Sequence, residues 1–191
     1  MTGNYTVVGN DTIQSIAAAY DVGVCNLARA NRLADYEYIY AGQILVIPGP
    51  VAGDNNSACY DTNNTLATAT CISGGPHTYT TFPGDTLQKI ANSRFNITVD
   101  SIQSYQAQTE YIVDVGPYDI LETGMNVKIP LCMSSQCIIE SFTLDYGTFQ
   151  DLATTYGSTV GQLMGLNSGY NHSEGAPGTG AELILPLNCT S

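Results

Sequence analysis

The chain has 191 residues, with 17 acidic and 5 basic side chains and a formal charge of −12. A polyanion repels phosphate backbones and anionic headgroups, so nucleic acid and membrane surfaces are excluded as partners and a neutral ligand is favoured. No apolar run approaches the ~20 residues needed to cross a bilayer.

The first ordered signal is a short strand pattern, YTVV, followed by the tight loop GNDT and a helical pattern, QSIAAAY. A second short helix and a closing strand, GQILVIP, complete the segment 5–48. A stretch over 49–75, rich in Gly, Asn, Thr, Ala and Ser and without periodicity, reads as a linker. The same order then returns over 79–130 (YTTF, PGDT, QKIANSRF, GMNVKIP) and over 142–186 (FTLD, DYGT, QDLATTY, GAELILP).

The internal spacings agree among the three segments. From Tyr20, Phe95 and Tyr156, a valine lies four positions on (Val24, Val99, Val160). An apolar residue lies seven on (Leu27, Ile102, Leu163), and an amide eleven on (Asn31, Gln106, Asn167). That register is one face of a second short helix. The expected fold class is α+β: three small βααβ modules joined by linkers and stapled by disulfides. The expected boundaries are 1–48 for repeat one and 49–76 for a linker carrying Cys59 and Cys71. Repeat two takes 77–132 and repeat three 133–191. Repeat one is therefore on a long leash, whereas repeats two and three are separated only by 131–141.

A module of about 45 residues buries a small core and usually needs cross-links. Six cysteines are available: Cys25, Cys59, Cys71, Cys132, Cys137 and Cys189. None forms a Cys-x-x-Cys pair, and only His77 and His172 supplement them, so disulfides are expected and a metal is not. Cys71 and Cys132 flank repeat two, Cys137 and Cys189 flank repeat three, and Cys25 and Cys59 remain. Six cysteines allow about fifteen pairings, so this is the preferred connectivity among several. Seven Asn-x-Ser/Thr sequons, at Asn4, Asn10, Asn55, Asn63, Asn96, Asn171 and Asn188, also point to secretion. With no basic-then-apolar leader at the start, Met1 is expected to begin either a processed form or a recombinantly expressed one.

Together the strand, Gly-Asp-Thr loop, paired helices and Gly-x5-Pro strand resemble the LysM module, and YTVVGNDTIQSIAAAYDVGVCNLARANRLADYEYIYAGQILVIP is the best match. Three such modules with a Cys-bearing linker resemble the secreted LysM effectors of fungi. The resemblance implies a chitin-oligomer ligand, no cofactor, and a monomer or ligand-induced oligomer. It also implies grooves between the loop before the first helix and the loop after the second. In repeat one these are Gly9, Asn10, Asp11, Thr12 and Ile13 facing Asp35, Tyr36, Glu37, Tyr38 and Ile39. In repeat two they are Pro83, Gly84, Asp85, Thr86 and Leu87 facing Pro117, Tyr118, Asp119, Ile120 and Leu121. In repeat three they are Asp145, Tyr146, Gly147 and Thr148 facing 168–177.

This chain departs from the pattern in three places. Asn10 replaces the loop glycine and starts a sequon, repeat two has about seven extra residues before Gly124, and repeat three lacks the Asp in a loop one residue shorter. Asp11 and Asp85 are expected to cap helices rather than touch ligand, and Asn31 and Asn167 to cap the second helix. Thr12, Thr86 and Thr148 divide between capping and binding. Tyr36, Tyr38 and Tyr40 read either as a sugar platform or as ordinary surface and core aromatics. His77 and His172 are expected in solvated turns.

No nucleophile elbow, zinc-protease helix or phosphate loop is present. A chitin-binding effector that hides fragments from host receptors, through a groove shared by repeats one and three, is the leading expectation. A wall-coating or cross-linking protein and the binding part of a wall hydrolase are the alternatives.

Overall fold

The computed structural model describes residues 3–49, 59, 66–108, 115–170 and 180–191. Parts of the linker, the insertion of repeat two at 109–114, the segment 171–179 and the sequons at Asn55, Asn63 and Asn171 lie outside the described residues.

Two helices bracketed by paired strands recur three times. The first set is β1 (Gly3–Thr6), α1 (Ile13–Ala19), α2 (Val24–Ala30) and β2 (Ile44–Ile47), with β1 and β2 antiparallel and Tyr5 opposite Leu45. The second is β3 (Thr78–Thr80), α3 (Leu87–Lys89), α4 (Val99–Gln108) and β4 (Asn126–Lys128), with Tyr79 opposite Val127. The third is β5 (Gln136–Leu144), α5 (Phe149–Tyr156), α6 (Val160–Leu166) and β6 (Ala181–Thr190).

One local difference has a simple origin. From Thr12 to Tyr20 and from Thr148 to Tyr156 the chain advances eight positions, but from Thr86 to Phe95 it advances nine. Helix α3 absorbs the extra residue by running on into a π-helical turn, Ile90–Phe95, as single insertions into helices often do. Asn96, in the left-handed region at φ 53°, then ends it.

The chain divides into two compact units. One holds Met1–Thr62, Phe142–Leu152 and Gly169–Leu183; the other holds Asn63–Ser141, Ala153–Ser168 and Ile184–Ser191. The first thus combines repeat one with the first loop of repeat three. Its core gathers Val7, Ile13, Ile16, Leu27, Leu33 and Leu45, with Tyr36 and Ile39 packed against them.

In the second unit Tyr79 and Phe95 meet edge-to-face at 5.7 Å, and both are buried. Helix α6 approaches them through glycines. A Cβ at Gly161 would lie 2.5 Å from the Phe95 ring, and one at Gly165 would lie 2.6 Å from Pro76, so neither position has room for a side chain. The end of the stretch read as linker also joins this unit, with Ala69 bridging to Ile97 and Ile72 to Leu131.

The preferred disulfide connectivity is the one present: Cys25–Cys59, Cys71–Cys132 and Cys137–Cys189. The loops they close span 34, 61 and 52 residues. By chain entropy each destabilises the unfolded state by about 4 kcal/mol. Among the described residues, no helix is long and apolar enough to cross a membrane.

Candidate functional site

In repeats one and two the first loop is the same device. Asp11 N–H donates to Val8 O at 3.2 Å, and Asp85 N–H to Phe82 O at 3.1 Å, closing one turn in each. The third residue of such a turn needs positive φ, which Gly84 supplies at 79° and Asn10 at 71°. Pro83, with its fixed φ, suits the second position.

The aspartates do not cap the helices. Asp11 Oδ2 accepts from the Tyr5 hydroxyl at 2.8 Å and from Val8 N–H at 2.9 Å. Asp85 Oδ2 accepts from the Tyr79 hydroxyl at 2.7 Å and from Phe82 N–H at 2.8 Å. Each therefore ties the turn back to the tyrosine of the first strand. The cap falls one residue later, because Thr12 and Thr86 hold the extended backbone of an N-cap. Thr12 Oγ1 accepts from Ser15 N–H at 3.0 Å, and Thr86 Oγ1 from Lys89 N–H at 3.1 Å.

Burial separates the two copies. Asp85 is fully buried, and its Oδ1 faces the Arg94 guanidinium at 3.6 Å. Burial, with the Asp85 carboxylate adding to it, pushes the Tyr79 phenol far above its ordinary value against the opposing pull of Arg94. Tyr5 is raised chiefly by its hydrogen bond to Asp11.

The second loop of repeat two lies against the first. In repeat two Leu121 N–H donates to Asp85 O at 2.9 Å, and Gln88 N–H to Pro117 O at 2.8 Å, while Asp119 closes the turn by accepting from Gly116 N–H at 2.7 Å. Tyr118 and Ile120 stand out from this loop, 74% and 77% exposed. In repeat one Asp35 shapes the loop by accepting from Glu37 N–H at 3.0 Å, and the Tyr36 hydroxyl donates to Glu37 at 2.9 Å. Tyr38 and Tyr40 lie 6.4 Å apart, and both are partly exposed.

The side chains of Ile13, Asp35, Asp85, Leu87, Leu121 and Thr148 are buried, so at those positions only the backbone is presentable to a ligand. Gly9, Asn10, Gly84, Glu37 and Asp119 are exposed, and Thr12, Tyr36, Tyr38 and Ile39 are partly or fully so. The amides at the end of the second helix do more than cap it. Asn31 Nδ2 donates to Leu27 O at 2.8 Å and to Val46 O at 2.9 Å, and its Oδ1 accepts from Val46 N–H at 2.7 Å. Asn167 repeats this with Leu163 and Ile184. Each amide thus ties the helix end to the closing strand.

Repeat three's first loop is built differently. Gly147 N–H donates to Arg29 O at 3.1 Å, and Phe149 N–H to Leu33 O at 3.4 Å. The Tyr170 hydroxyl donates to Arg32 O at 2.6 Å, with the Tyr170 and Phe149 rings 5.0 Å apart. These donors reach one carbonyl in the last turn of α2 and two just beyond it, and Arg29 O also accepts from Arg32 N–H at 3.1 Å. Above them Arg29 holds Asp151 through two hydrogen bonds, Nε to Oδ2 at 3.0 Å and Nη2 to Oδ1 at 2.8 Å. Burial pushes the Asp151 carboxyl up, but the Arg29 bonds and the Thr148 N–H and hydroxyl outweigh it, leaving it below the usual carboxylate range. Gly147 and Thr148 are thus committed inside the protein, while Asp145 and Tyr146 remain exposed. The segment 171–177 of the facing loop lies outside the described residues.

Sequence reasoning missed Arg29, Asp151 and Tyr170. The one signal it offered was that Arg29 is among only five cations. Among the described residues, no three His, Cys, Asp or Glu side chains are grouped to hold a metal.

The LysM domain profile matches residues 5–48 and 79–130. Secreted LysM effector LysM13 of Penicillium expansum is 39% identical over 188 residues, covering 98% of this chain and 79% of that protein. Secreted LysM effector ECP6 of Passalora fulva is 38% identical over 187 residues, covering 97% of this chain and 78% of that one. Secreted LysM effector ELP2 of Colletotrichum higginsianum is 37% identical over 97 residues, 51% of this chain and 53% of its own.

Proposed function

Because the chain belongs to the LysM-domain family and is, like its relatives, a secreted and non-enzymatic protein, we propose that it binds oligomers of β-1,4-linked N-acetylglucosamine. In this reading the protein sequesters chitin fragments from host immune receptors. Chitin is uncharged, which suits a chain of net charge −12. Its acetamido group offers one donor and one acceptor, the complement of loop backbones such as 9–13 and 83–87. The exposed Tyr118 and Ile120, and the partly exposed Tyr36 and Tyr38, offer apolar surface for the sugar face.

The tight site is a groove shared by repeats one and three, and repeat two binds separately. The observation that supports this is the docking of repeat three on the end of α2, through Gly147 of its first loop, Tyr170 of its second and the Arg29–Asp151 pair. A sugar chain held by two such modules gains an intramolecular second contact, which raises affinity by roughly 10²–10⁴-fold over one module.

Calorimetric titration tests the reading. Affinity should climb from chitobiose to chitohexaose and barely change with salt, because a neutral ligand is little affected by charge screening. Tyr38→Ala or Ile39→Thr should remove the tight phase, whereas Tyr118→Ala or Ile120→Ala should remove only a weaker one. A tight phase that survives the first pair and is lost with the second refutes the shared groove. A steep loss of binding in salt refutes the neutral ligand.

A further inference from the structure

We propose that Asn10 is an N-glycosylation site and that its glycan covers the sugar groove of repeat one. The inference rests on the chitin-binding reading and adds a covalent control to the same site.

Asn10-Asp11-Thr12 is a sequon with no proline at its centre, in a secreted chain. Asn10 is exposed and occupies the left-handed corner of the turn over residues 8–11, at φ 71°. Its neighbour Asp11 is held inward by the Tyr5 hydroxyl and Val8 N–H, so the turn that carries Asn10 is fixed on the first strand. The residue two further on, Thr12, starts α1. An attachment at Asn10 is therefore anchored on the wall of the groove, directly before the helix that frames it.

Repeat two gives the contrast. The matching corner is Gly84, at φ 79°, which has no side chain and nothing within 4 Å of a Cβ built there. The same backbone geometry is bare in one groove and carries an acceptor amide in the other. Of the other sequons among the described residues, Asn4 lies on β1, Asn96 follows the π-helical turn and Asn188 lies on β6. None of these three is on a candidate groove loop.

The modification is a group transfer from a lipid-diphosphate-linked oligosaccharide, the donor class of the eukaryotic secretory pathway. A bond forms between Asn10 Nδ2 and C1 of the first sugar, the C1–oxygen bond to the diphosphate breaks, and the amide proton is lost to base. The first two sugars delivered are β-1,4-linked N-acetylglucosamine. That disaccharide has the chemistry of the proposed ligand, so the glycan both crowds the groove and competes within it.

The test uses the full chain secreted from a glycosylating eukaryotic host and the same chain made with its disulfides in bacteria. Enzymatic deglycosylation in heavy-oxygen water, followed by peptide mass spectrometry, reads occupancy at Asn10. Chitotetraose affinity is then measured for wild type and for Asn10→Gly, which restores the corner of repeat two. The bacterial pair reads what the side chain itself contributes. The inference expects a glycan at Asn10, and a gain in affinity on Asn10→Gly at least about tenfold larger in the glycosylated pair than in the bacterial pair. An unmodified Asn10, or equal gains from both hosts, overturns it. If neither bacterial protein binds chitotetraose, the chitin reading fails and the inference falls with it.

Discussion

Removing the Arg29–Asp151 pair should loosen repeat three from repeat one by a measurable amount. The pair is bidentate at 3.0 and 2.8 Å, and its side chains are 13% and 26% exposed. Exposed ion pairs contribute about 0.2–1 kcal/mol and charge-assisted hydrogen bonds about 1.5–3 kcal/mol, so partial screening places this coupling at about 1 kcal/mol. Arg29→Met keeps the aliphatic stem, and Asp151→Asn keeps an acceptor for Thr148. The two singles and the double make a cycle read by urea unfolding of the disulfide-intact protein.

The same carboxyl sets a pH window. Because its folded value is depressed, its stabilisation is present above the ordinary carboxylate pKa of about 4 and is lost as pH falls through the folded value. Wild type should therefore converge on Asp151→Asn in acid. If repeats one and three act as one site, the double variant also binds chitotetraose several-fold more weakly, because less of it is pre-ordered. A coupling indistinguishable from zero, within about 0.3–0.5 kcal/mol, refutes the assignment of the docking to this pair.

Asn31→Ala should cost about 1–3 kcal/mol in urea unfolding, because it takes the amide partner away from the half-buried N–H and C=O of Val46. Asn167→Ala, whose bonds to Ile184 are exposed, should cost less. Above pH ~10 the unfolded chain releases the Tyr79 proton that the folded chain retains, so wild type should lose stability more steeply than Tyr79→Phe in an alkaline series. Parallel curves would count against the buried phenol. Thiol titration of the unfolded, unreduced protein should find no free cysteine, and even one reactive thiol would contradict the three disulfides.

Much of this protein is legible from short-range pattern. The repeats and their helix faces follow from residues within one module, and the flanking positions of Cys71 with Cys132 and Cys137 with Cys189 make those pairings the preferred ones among several. The register that places Asn31 and Asn167 at the helix ends is equally local. The roles of Asp11 and Asp85 were not legible. An Asp before a helix suggests a cap, but the turn sends the carboxylate back to Tyr5 and Tyr79, and only the folded strand reveals that partner.

The docking of repeat three on repeat one is further still from local pattern. Arg29 and Asp151 are 122 residues apart, and Tyr170 reaches Arg32 across 138. Neither pair leaves a periodicity or motif, because a contact of that span depends on where whole modules come to rest. Local spacing determined the modules themselves; a few long-range bonds to carbonyls in and just after α2 hold the first loop of repeat three in the same unit as repeat one.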